Sequence, residues 1–222
     1  MGYISQSFYM SNSVRFRALK SELIRLRKQF LPKIISPTGD YSERQIALTI
    51  AYRVLAHAEI ESYIEDRVWE IALNAKRKWD SEKKANRSLI SLIAFSGQMM
   101  ELPPDTLNPV RPSREISSNR IKIDEKIRLA VNAFKKIIDQ NHGLKEANLL
   151  ALLLPIGIDT NDLDAVMLAT MDTFGIQRGL VAHSSRTSYQ VTQLPDPANE
   201  LSRIEQITQQ MMELDGLLSD LM

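Results

Sequence analysis

Arg178 and His183 stand five residues apart in the segment GIQRGLVAHSSR. Arginine is a permanent cation, and histidine titrates near neutrality. A metal-free phosphodiester transfer needs those two things, a charge to stabilise the transition state and a group that moves a proton. On a regular helix five residues amount to about 140° of rotation, so the pair does not share one face by geometry alone. Arg178 is long enough to reach around the helix, and Gly179 lets the turn deform. A surface arginine near a half-buried histidine satisfies the same spacing, so the pattern needs context.

Other local chemistries are unsupported. The chain has three histidines, His57, His142 and His183, and none stands three or four residues from another. Two metal ligands on one helix face are therefore excluded for histidine, and no histidine follows a glutamate by three. With no cysteine there is no thiolate metal cluster, disulfide or cysteine nucleophile. A Gly-rich phosphate loop and a G-x-S-x-G elbow are both missing. The expectation is no metal and no cofactor.

A second group of chemistry-bearing residues lies in ALTIAYRVLAHAEIESYIEDRVWEIA. Arg53, His57, Glu61 and Glu65 are each four apart and line one helix face. That face is either an outer shell to a site or an exposed ladder of ion pairs. Ser184 and Arg186 follow the arginine–histidine pair and either hydrogen-bond a phosphate or cap and solvate the helix. Trp69 and Trp79, at helical spacing, read as packing residues rather than base-stacking ones.

The elements that must position these residues are helices. Val14, Phe16, Leu19, Leu23, Leu26 and Phe30 fall at helical steps, and Pro32 closes the first helix. Ser42 with Gln45 forms a capping box for a long helix reaching about Trp79. Ser88 to Glu101 predicts a short helix. Four prolines between Pro103 and Pro112 then make a loop excursion. An amphipathic helix over Ile121 to Asp139 should end with Gly143 as its C′ residue. Leu144 to Leu154 is apolar on most sides, and a helix from Asp162 carries the arginine–histidine pair. Gly175 and Gly179 on that helix favour close helix approach. Leu201, Ile204, Ile207, Met211, Leu214 and Leu218 keep the helical period to the end. Strand patterns are nearly absent, so the fold is all-α.

Composition sets the outer limits. At 222 residues with 44% hydrophobic and 25% charged side chains, the chain can bury a core without staples. Its expected organisation is one domain over 1–222, with a core over about 41–221 and a basic helix and linker over 1–40. A net charge of +1 gives no broad grip on nucleic acid and fits a small local phosphate site. The charge is segregated, however. Val14 to Lys33 holds seven basic residues and one acidic, whereas Asp196 to Met222 holds six acidic and one basic. Both runs read as solvated helix faces, or the first helix meets phosphates or an acidic partner. The longest apolar run is too short and interrupted for a membrane span, and the first residues lack a signal-peptide pattern. A cytoplasmic protein is expected.

Taken together, the late R-x4-H pair, the A-H-A-E-I-E-S-Y-I-E block and the all-α pattern resemble the HEPN superfamily. The likeness is to its RiboL-PSP-HEPN branch and covers Tyr41 to Leu221. It implies a HEPN-like helical bundle with a long second helix, acting as a homodimer whose R-x4-H elements face each other across a two-fold axis. It further implies metal-independent RNA cleavage, with Arg178 and His183 catalytic. His183 would act as general base on the ribose 2′-hydroxyl or as general acid on the leaving 5′-oxygen, and Arg178 would neutralise transition-state charge. Glu61, Ser184 and Arg53 would support the site, and Arg186 would contact RNA. Such a nuclease would serve as a toxin of a toxin–antitoxin pair or a phage-defence effector, silenced by a partner protein. Members often carry Asn, Asp or His directly after the motif arginine, where this chain has Gly179. That difference favours the alternative, a non-catalytic dimerisation module that binds a protein or nucleotide.

Overall fold

The structure is a computed structural model that describes residues 12–99, 123–183 and 194–222. Seven α-helices are described: α1 (Val14–Phe30), α2 (Glu43–Glu82), α3 (Arg87–Phe95), α4 (Ile123–Asp139), α5 (Glu146–Leu153), α6 (Ala165–His183) and α7 (Pro197–Asp220). A single 3-10 turn, Thr160–Asp162, precedes α6. Among the described residues there is no strand, and no helix is long and apolar enough to cross a membrane. The Pro-rich stretch 103–112 lies outside the described residues.

Helix α2 organises the bundle. Its 40 residues span about 60 Å, and every other helix packs on it. Ser42 and Gln45 cap its start reciprocally, and Lys83 ends it in the left-handed region at φ 54°. Tyr52, Ala56, Ile60, Tyr63, Ile64, Val68 and Ile71 are buried along it. One continuous apolar core runs from Phe16 and Leu19 on α1, through these residues, to Phe134, Leu152, Phe174 and Leu214. A smaller cluster of Ala75, Leu89 and Ile127 joins α2, α3 and α4.

Helix α1 is fastened at its first turn. The Ser13 hydroxyl accepts from the Phe16 N–H, while the Ser13 N–H donates to Asp215 on α7 at 2.8 Å. The other Asp215 oxygen accepts from the Tyr63 hydroxyl at 2.7 Å. One buried carboxylate thus ties α1, α2 and α7, and these hydrogen bonds offset the cost of burying its charge.

One helix ends earlier than the letters predict, and another ends where expected but without the expected cap. Helix α3 stops at Phe95 rather than near Glu101, because Gly97 takes up φ 71° and turns the chain before the proline run. Helix α4 ends at Asp139, and Gly143 is not its C′ residue, since its φ is not among the left-handed ones. The last turn is instead closed by the N–H groups of Gln140 and Asn141. Trp69 and Trp79 are half-buried against the two clusters, as packing residues.

Candidate functional site

Helix α6 begins where the Asp164 carboxylate accepts from the Val166 N–H at 2.8 Å. Met167, Met171 and Phe174 recur at helical spacing and are buried. They hold α6 against α2 and α7. Gly175 comes so close to the start of α5 that an added Cβ would stand 3.1 Å from Lys145 Cγ and 3.2 Å from its backbone N. That close approach is what a small residue permits. Gly179 differs, with nothing within 4 Å of where its Cβ would be, so it serves no close approach among the described residues.

Arg178 lies one turn beyond Phe174 and is half-buried. Among the described residues its guanidinium makes no hydrogen bond or ion pair. The neighbouring Gln177 buries its Oε1 without a hydrogen-bond partner among the described residues. The helix continues through His183, about 140° around the axis from Arg178. The His183 side chain, Ser184 and Arg186 lie outside the described residues.

The opposite side of α6 is open. Val166, Ala169, Thr173, Ile176 and Leu180 are all exposed, at alternating steps of three and four residues. Leu180 is 49% exposed and Ile176 45%. Thr173 turns its hydroxyl back to the Ala169 carbonyl at 2.9 Å, which leaves its methyl to the surface. A stripe of this spacing is a seam that another helix can cover.

The α2 face is not an exposed ladder of ion pairs. Arg53 is buried and pairs bidentately with Glu200 on α7, Nε to Oε2 at 2.9 Å and Nη2 to Oε1 at 2.6 Å. Arg203 adds a second cation to Glu200 at 2.6 Å. Such a pair locks α2 to α7, and removing one partner of a buried pair costs about 3–5 kcal/mol. His57 is fully buried against the Phe174 ring, with centroids 5.3 Å apart. Among the described residues neither of its ring nitrogens has a hydrogen-bond partner, and Glu61 lies 3.4 Å from Nδ1.

Glu61 and Glu65 end this face beneath the loop that follows α4. There the Asn141 amide donates to Glu65 at 2.7 Å and lies 3.4 Å from Glu61. Asn148 in turn donates to the Asn141 side-chain oxygen Oδ1 at 2.9 Å. Burial pushes the Glu65 carboxyl above the usual carboxylate range; the Asn141 hydrogen bond opposes that shift, and the Glu61 and Asp66 charges add to it. Among the described residues no cluster of His, Asp and Glu has the geometry to hold a metal ion.

The fold therefore brings α2 and α6 into contact through His57 and Phe174, one turn before Arg178. Arg53, Glu61 and Glu65 meet Glu200 and Asn141, two partners not singled out by spacing. Glu200 is marked only by its place in the acidic last helix, and Asn141 only by following an amphipathic helix.

A family model described as RiboL-PSP-HEPN matches residues 16–212, from the first turn of α1 to late α7. No characterised protein and no solved structure matches the chain.

Proposed function

Because the chain belongs to the RiboL-PSP-HEPN family, we propose that it is a metal-independent endoribonuclease built on Arg178 and His183. The observation that carries this reading is the half-buried guanidinium of Arg178, unpartnered among the described residues, on the helix that also bears His183. A partly desolvated cation without an internal carboxylate is poised for an anion, and its planar fork suits a phosphate.

In the proposed reaction the ribose 2′-oxygen attacks phosphorus and the bond to the 5′-oxygen breaks. The 2′ proton passes to a base, and the leaving oxygen takes a proton from an acid. His183 fills one of those roles, and Arg178 neutralises the charge that builds on the phosphorane-like transition state. The products carry a 2′,3′-cyclic phosphate and a 5′-hydroxyl. One histidine does not fill both roles at once, so a homodimer supplies the second. The open stripe on α6 supports that arrangement, since its spacing continues from Leu180 to position 183. In this reading Ser184 and Arg186 contact the RNA backbone. Glu61 acts on the pair from behind, through His57 and Phe174, and Arg53 steadies α2 against α7. The whole chain acts as one domain in the cytoplasm, as a toxin or defence effector held silent by a partner.

The test is cleavage of RNA in excess EDTA by the wild type, His183→Ala and Arg178→Ala. Cleavage by wild type alone supports the nuclease. RNA left intact by all three at high enzyme concentration supports a binding module instead, the reading that Gly179 favours by placing no polar side chain after Arg178.

A further inference from the structure

The segregated charge of the first and last helices has no part in the nuclease reading, yet the fold sets these two helices side by side. Between them runs a groove of about 200 Å³ floored by Leu23, Tyr52 and Ile204, all buried. Its rims are apolar and exposed, with Ile24 of α1 52% exposed and Met212 of α7 37% exposed. Lys20 and Arg27 stand on the α1 wall and Glu205 on the α7 wall. Among the described residues none of the three has an ion-pair partner, although other α1 cations do, Arg15 with Asp66 and Arg25 with Glu22.

We propose that this groove docks an amphipathic helix of a partner protein, with an apolar ridge, acidic residues on the flank facing α1 and basic residues on the flank facing α7. The lined stretch of α1, from Phe16 to Arg27, is about 17 Å long and matches three turns of a helix. The ridge of such a helix covers Ile24 and Met212, which a monomer leaves in water at a cost that burial recovers. The two flanks then meet Lys20 and Arg27 on one side and Glu205 on the other.

RNA fits this surface less well. Its phosphates gain nothing from an apolar floor and are repelled by Glu205 and the acidic run of α7. A second copy of the chain fits less well too. A two-fold axis over the groove sets groove against groove and leaves both floors unfilled. The inference stands apart from the nuclease reading.

The probe is a labelled helical peptide of about 14 residues with a leucine ridge, glutamates on one flank and lysines on the other. Fluorescence anisotropy with the full-length protein should give a Kd on the order of 10 μM. Ile24→Glu should weaken binding at least about tenfold, as should Met212→Glu and the pair Lys20→Glu with Arg27→Glu. All four positions are exposed, and thermal melts of each variant check that it folds. Absence of binding at about 1 mM, or binding indifferent to these variants, overturns the proposal. So does a uridine oligonucleotide that takes the peptide's place at the same residues, or a change of oligomeric state in Ile24→Glu.

Discussion

At the scale of single residues, the chemistry depends on what each polar group lacks or holds. Arg178 has no internal anion among the described residues, whereas Arg53, on the neighbouring helix, is already paired with Glu200. The four-residue spacing of Arg53, His57, Glu61 and Glu65 marks their shared face, but not that the face points inward. Their partners stand far along the chain, Glu200 at 147 residues from Arg53, where no periodicity reaches. Gly179 is an interior helix position with room for a Cβ. Gly179→Ala should therefore raise stability by about 0.5–1 kcal/mol, read as a higher denaturant midpoint at unchanged slope. Glu65 gives a pH-dependent prediction. Its folded carboxyl titrates above its unfolded value, so it favours the fold in acid and loses that contribution as pH rises through the folded value. Glu65→Gln should accordingly melt higher than wild type at neutral pH. Its advantage should shrink as pH falls through the range where Glu65 takes up its proton, and an advantage that grows in acid would contradict the assignment.

At the scale of elements, hydrophobic period located the helices, because each must bury one stripe against α2. The capping box of Ser42 and Gln45 marks the start of α2 in the letters alone. Helix ends were harder to read. A glycine that stops a helix and one that merely follows it look alike in the letters. Gly97 turns the chain at φ 71° and Gly143 does not, because Gln140 and Asn141 close α4 first. Similarly, Gly175 and Gly179 look equivalent, yet among the described residues Gly175 meets the start of α5 and Gly179 meets no neighbouring element. The apolar residues of α6 divide into a buried set and an open one. Phe174 belongs to the core and Leu180 to the surface. Leu180→Asp should still fold and melt cooperatively, since the position is exposed in the single chain and contributes little to its own core. In light scattering it should halve the mass of the proposed homodimer. A monomeric wild type, or a variant dimer as stable as wild type, would mean that this stripe is not the seam.

At the scale of the whole molecule, the bundle keeps its polar groups in separate functions. Asp215 fastens α1 to α2 and α7 at one end of the core. Glu200 and Arg53 lock α2 to α7, and Asn141 gathers Glu61 and Glu65 beneath the α4–α5 loop. These buried or half-buried groups are paired internally, whereas Arg178 has no internal partner among the described residues, as its proposed role requires. The near-zero net charge agrees with small sites of this kind and with the absence of a long basic track in the totals. Family membership brings the expectation of RNase-type or nucleotide-related chemistry, and the most direct measurement of it concerns the ends that cleavage leaves. An RNA cut by the protein in EDTA should yield 2′,3′-cyclic phosphate and 5′-hydroxyl termini. Cutting should cease when the nucleotide at the cleaved bond lacks its 2′-hydroxyl, and equally with His183→Ala. Cleavage that persists on the 2′-deoxy substrate, or that occurs only when a divalent metal is added, would contradict the account.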